Sequence, residues 1–215
     1  MREEELARLI SDAARRSFVE TQNAIGRDEI IGYALTSHDT ADSCGPVVAT
    51  RSGLEAFTPY GSAEEFRYSP DNWDCFDNQS AFDRVNQELL RLYETGDYEE
   101  DPEWHNRFRQ LVFCSSVAAL EALVGEGFFG IPDERDALFV MFGISGSLEW
   151  ERRAPEWASR LNTPSVTKRF LQWHRATFNA GQVWDDKNFF NAKRKPVTRF
   201  WQCRGRLALY FPAES

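Results

Sequence analysis

Three observations predict an α+β fold (mixed α/β) with a central, largely antiparallel or mixed sheet packed by several amphipathic helices. Stretches with helical apolar spacing are interleaved with short β-branched and aromatic runs; two of those runs lie close together, and a third is apolar without interruption. The chain of 215 residues has no internal repeat and is long enough to bury its own core. One α+β domain is expected over residues 1–176, followed by a basic aromatic extension over 177–215.

From Glu3 to about Gln22 the apolar residues Leu6, Leu9, Ile10, Ala13, Ala14 and Phe18 form one helical stripe. The three leading glutamates suit the positive end of that helix dipole. Ile30-Ile31-Gly32-Tyr33-Ala34-Leu35 reads as a buried strand, and Gly45-Pro46 marks a turn before a second strand, Val47-Val48-Ala49-Thr50. The short link makes the pair antiparallel. Residues 52–78 are rich in Gly, Pro and aromatics, and Tyr68-Ser69-Pro70-Asp71-Asn72-Trp73 reads as an extended step into a turn.

Phe82, Val85, Leu89, Leu90 and Tyr93 define a second amphipathic helix stopped at Gly96. A third helix, from about Pro102 to Gly125, carries Phe108, Leu111, Val112, Ala118, Ala119 and Leu123. The unbroken run Ala137 to Ile144 is expected to be the central strand, covered on both faces. A charged helix with Trp150 and Trp157 follows, ending near Leu161-Asn162-Thr163-Pro164. Pro164 opens the last helix, with Val166, Phe170, Leu171 and Trp173. Beyond Ala176, Val197 to Cys203 and Leu207 to Phe211 read as a terminal hairpin.

Composition excludes several classes. At 42% hydrophobic and 27% charged the chain is neither disordered nor collagen-like. Mean hydropathy is −0.53 and no apolar run approaches the length of a membrane span, so no membrane association is expected. The start, MREEELARLI, has neither the basic nor the apolar region of a signal peptide, and the expected location is cytoplasmic. Cys44, Cys75, Cys114 and Cys203 lie far apart with no C-x-x-C pair, which predicts free thiols, Cys114 in the core, and no zinc or other metal.

The formal charge of −9 is unevenly placed: residues 1–103 carry 9 basic and 23 acidic side chains, and residues 104–215 carry 16 and 11. Such a gradient steers charged partners. Its densest negative part is Glu94, Asp97, Glu99, Glu100, Asp101 and Glu103, with no basic residue among them and with Tyr98 and Trp104 as aromatic anchors. These eight residues form the candidate partner-binding surface.

The chemical motifs are weaker. Gly125-Glu126-Gly127-Phe128-Phe129-Gly130 imitates a dinucleotide fingerprint but follows a helix and precedes a strand, so helix termination is the better reading and no cofactor is expected. Gly143-Ile144-Ser145-Gly146-Ser147 lacks the second glycine of a nucleophile elbow. Of His38, His105 and His174, only His38 has local company, in Asp39, Asp42 and Cys44. A small hydrolase with its site there is the enzymatic alternative, set against an ordinary polar loop. The tail, with Lys193-Arg194-Lys195 and Phe200-Trp201, offers contact with single-stranded nucleic acid as another alternative, opposed by the acidity of the remaining chain. No carboxylate spacing singles out a hydrolytic pair, and the tryptophans read first as core.

The order of the opening helix, the Tyr33-Ala34-Leu35 strand, Tyr68-x-Pro70-x-x-Trp73, the apolar strand before Gly143 and Leu161-Asn162-Thr163-Pro164 resembles an uncharacterised bacterial family, domain of unknown function 4303. The resemblance spans most of residues 3–176 and implies no established activity, though some such small domains look like immunity proteins encoded beside bacterial toxins. The resulting expectation is a non-enzymatic binding protein. Its partner would be a cognate protein toxin, engaged through the acidic surface.

Overall fold

The computed structural model describes residues 1–73, 77–96, 101, 103–145 and 147–178. Helix α1 (Glu3–Ile25) buries Leu6, Ile10, Ala13, Ala14 and Phe18, the predicted stripe apart from half-buried Leu9, and a 3-10 turn (Arg27–Glu29) leads into β1 (Ile30–Ser37). Strand β2 (Cys44–Thr50) returns antiparallel, with Ser37 opposite Cys44 and Tyr33 opposite Val48. Then come α2 (Arg51–Phe57), α3 (Ala63–Tyr68), a 3-10 turn at Pro70–Asn72, another at Asp77–Phe82, α4 (Asp83–Glu94) and α5 (Trp104–Gly125). The short α6 (Pro132–Arg135), β3 (Phe139–Ile144), α7 (Leu148–Leu161) and α8 (Pro164–Phe178) complete the described chain.

The sheet has the order β2-β1-β3, and β3 runs parallel to β1 with Gly32 opposite Phe139 and Leu35 opposite Phe142. Residues side by side in a sheet share a face. On one face Tyr33 meets Phe18 of α1 edge-on at 5.2 Å, and Phe142 contacts Phe113 of α5 and Trp157 of α7. The Tyr33 hydroxyl donates to Ala14 O at 3.1 Å and lies 3.0 Å from Ser17 Oγ, so its polar tip is satisfied inside the core. On the other face Phe139 meets Tyr68 and Trp73 edge-on and stacks on Phe170 of α8. Gly32 is required there, because a Cβ would lie 2.7 Å from the Trp73 ring.

The unbroken Phe139–Ile144 run is buried at every position, as its composition predicts. The expectation that it is the central strand is corrected: β1 is central and β3 forms an edge. Continuous apolarity reports cover above and below a strand and is silent about its flanks. Side chains close that flank. Asn162 Oδ1 accepts from Val140 N at 2.8 Å and Asn162 Nδ2 donates to Val140 O at 2.7 Å, while Trp150 Nε1 donates to Phe142 O at 2.9 Å. The amide of Asn162 therefore takes the place of one residue of a missing strand. The β2 edge is treated alike: Asn86 Oδ1 accepts from Cys44 N at 2.8 Å and Gln79 Nε2 donates to Pro46 O at 2.9 Å.

Two helices, α2 at the start of the segment read as Gly-, Pro- and aromatic-rich and α3 within it, are additions to the predicted elements. Each starts on a hydroxyl cap, Thr50 Oγ1 accepting from Gly53 N and Ser62 Oγ from Glu65 N. The reading of the glycine run as a helix stop holds: after α5, Gly127 takes φ 70° and Phe128 N returns to Leu123 O. By length and composition α5 meets the measure of a membrane span, which the sequence reading had not assigned to any segment. In the fold it is a core helix, with Phe108, Val112, Phe113, Val117, Leu120 and Leu123 buried. The extension and its predicted hairpin lie outside the described residues from 179 onward.

The Asn162 bridge makes a direct prediction. Asn162→Ala strands two buried backbone groups at Val140, each costing about 1–3 kcal/mol, and should lower stability in urea by about 2–4 kcal/mol. Asn162→Asp keeps the acceptor but not the donor and should lose about half as much. A loss below about 0.5 kcal/mol for the alanine variant would contradict the bridge.

Candidate functional site

The acidic surface begins where α4 ends. Glu94 is exposed, Thr95 Oγ1 closes the helix by donating to Leu92 O at 3.1 Å, and Gly96 sits under the Trp104 ring. At the start of α5, Asp101 O accepts from Trp104 N at 2.9 Å and Asp101 Oδ1 from Glu103 N at 3.2 Å. A carboxylate there answers the positive end of the helix dipole. Arg107, one turn into α5, grips the same carboxylate with both terminal nitrogens, and that hydrogen bonding holds the Asp101 carboxyl below the usual range. Asp101 is thus committed to the helix start, whereas Glu103 is exposed and engaged only by Asn106 Nδ2 at 3.2 Å.

Trp104 is half-buried, stacked on Phe108 with centroids 5.0 Å apart and edge-on to Tyr93 at 5.9 Å. It serves local packing, and only its outer part faces solvent. Asp97, Tyr98, Glu99 and Glu100 lie outside the described residues. Beside Arg107 an open depression of about 380 Å³ runs along α5, lined by Glu3, Asn106, Gln110, Leu111 and Cys114.

At the carboxyl end of the two parallel strands lies a polar network that sequence reasoning did not assemble. Arg109 Nη2 donates to Asp39 Oδ1 at 2.6 Å, in the loop after β1, and to Glu149 Oε2 at 2.7 Å, in the first turn of α7. Ser147, the N-cap of α7, donates to the same Asp39 oxygen at 3.1 Å, and Glu149 is also held by Gln110 and Arg153. Two carboxylates therefore offset the Arg109 charge through Nη2, while its buried Nε has no acceptor among the described residues. The sequence marks Asp39 and Ser147 in two separate motifs but does not join them, since residues 39, 109, 147 and 149 share no local pattern. The loop it fastens contains Ala41, fully buried at φ 60°, in the left-handed region.

The hydrolase alternative fares poorly in this geometry. His38 is exposed and Asp39 is taken by Arg109 and Ser147, while Asp42 accepts from Thr40 Oγ1 at 2.9 Å. Cys44 is 2% exposed, its Sγ is 3.8 Å from Ser116 Oγ, and burial pushes its thiol up to about 12. The loop does not bring an exposed imidazole to an ionisable thiol. His174 is buried and hydrogen-bonded to Glu151 O at 2.8 Å, and His105 is half-buried against Tyr93. Among the described residues no three His, Cys, Asp or Glu side chains converge as a metal-ligand set.

The described residues form a small α+β domain around a three-stranded mixed sheet whose edges are met by side chains. The chain belongs to the family described as Domain of unknown function (DUF4303), whose signature it matches over residues 10–163. No curated protein and no solved structure matches it.

The thiol geometry is testable by alkylation at mildly alkaline pH with peptide mass mapping. Cys44, with about a thousandfold less thiolate than an ordinary cysteine, should stay unmodified while half-buried Cys114 reacts. Modification of Cys44 at the rate of Cys114 would contradict the closed environment.

Proposed function

We propose that this chain is a non-enzymatic binding protein, an immunity protein that neutralises a basic protein toxin in the cytoplasm through its acidic flank. The observation that carries the proposal is uncompensated negative charge. Residues 1–103 hold 23 acidic and 9 basic side chains. Several arginines are moreover spent on backbone carbonyls: Arg16 on Ala81 O, Arg51 on Asp28 O and Arg169 on Asp136 O. Carboxylates such as Glu94 and Glu103 stay exposed and outside the ion pairs of the described residues.

A toxin whose cleft is built to hold phosphates presents the complementary potential. Opposite fields speed encounter and fix orientation more than they raise final affinity. The depression along α5 gives a partner side chain a place to enter beside that field. Strand addition is disfavoured as a mode of recognition, because side chains already occupy backbone groups on both sheet edges.

The test is stopped-flow association with the purified product of whichever adjacent gene encodes a basic protein. Glu94→Lys/Glu103→Lys should slow association at low salt by at least about tenfold, with the dissociation rate little changed and the difference fading at high salt. An unchanged low-salt rate would remove the acidic flank from recognition.

A further inference from the structure

The segments that enter β1 and β3 carry two arginines with no ion pair among the described residues. Because these strands run parallel, the residues just ahead of them lie at the same end of the sheet, opposite the Arg109 network. Arg135 is 5% exposed; its Nη2 donates to Leu161 O at 2.5 Å, and its Nε is enclosed with no acceptor. Arg27 is half-buried, donates from Nη2 to Phe129 O at 2.8 Å, and lies over the Phe18 ring at 5.4 Å. The Arg135 guanidinium lies 5.8 Å from the Phe129 ring centroid, so both arginines meet at this one residue.

Among the described residues neither arginine forms an ion pair. Glu134 and Asp28 act on Arg27 only at longer range, and Glu134 Oε2 is occupied by Ile131 N. Nothing comparable offsets Arg135, whose proton affinity is lowered by burial and then by Arg27. The Leu161 carbonyl, at the negative end of α7, eases the burial without cancelling the charge. A buried cation normally has a counter-charge. Two guanidiniums of like sign, one with an unused buried donor, make a frame for an anion. Their combined charge suits a dianion with several oxygens better than a monocarboxylate.

We propose that Arg27 and Arg135 bind a phosphate-type oxyanion at the amino end of the parallel strands, against Phe129. The site is remote in sequence from the acidic flank and does not depend on the binding-protein reading. Its ligand is inorganic phosphate or the phosphoryl group of a small metabolite.

The test is thermal unfolding and titration calorimetry of the full chain, with inorganic phosphate replacing chloride at constant ionic strength. A saturable rise in Tm of a few degrees is expected, with acetate giving little. Arg27→Gln should weaken apparent phosphate affinity at least tenfold while the protein still unfolds cooperatively, and Arg135→Met should do the same where it folds. Phenyl phosphate, competing with inorganic phosphate, would identify a site open to esters; failure to compete would identify one that admits the bare ion. A non-saturating response, or one equal in wild type and Arg27→Gln, would overturn the proposal.

Discussion

Among the described residues the sheet has three strands and so two edges, and every backbone group on them must find a partner or face water. That constraint governs this fold. Here β3 is buried at every position, so water cannot serve its outer edge, and an unpaired amide or carbonyl there would be costly. The solution is a side-chain amide at the end of α7 that reproduces the donor and acceptor of a strand residue, with an indole N–H one step along. Asn162 also ends α7, donating to Ala158 O at 3.2 Å, and Pro164 behind it starts α8. One short run thus stops a helix, seals a strand and launches the next helix. On the opposite edge Asn86, Gln79 and the missing N–H of Pro46 share the task.

The motifs that carry the family resemblance turn out to be the pieces of this closure and of the packing behind it. Tyr33 bonds into α1, Tyr68 and Trp73 cover Phe139, and the Trp73 indole N–H donates to Phe66 O at 2.5 Å. Residues of this kind maintain a fold, and a family recognised by them is recognised by its architecture. A resemblance carried by such residues speaks to architecture, and function has to be argued from a site.

Elements with a strong apolar period were legible in the sequence because burial itself creates the period. The α1 stripe, the antiparallel β1–β2 pairing and the Pro164 start lie where that logic places them, but Gly45 and Pro46, expected to form a turn, are paired residues inside β2. Helices α2 and α3 were not read because they are too short for a period to develop, although Thr50 and Ser62 carried their capping signals. The position of β3 in the sheet was misjudged because composition encodes burial rather than neighbours. At the candidate site the carboxylates of 94–103 were visible as a run, but the Asp101–Arg107 pairing and the packing of Trp104 emerge only when α5 is folded. The Arg109 network and the Arg27–Arg135 pair join residues separated by up to about half the chain, which no local pattern records.

The most direct measurement is native-state hydrogen exchange, resolved by residue, at the Val140 and Cys44 amides. If Asn162 and Asn86 complete the sheet, both amides should exchange as slowly as those of β1, through global unfolding alone. Exchange as fast as at exposed α2 amides such as Glu55 would show open edges and contradict the account.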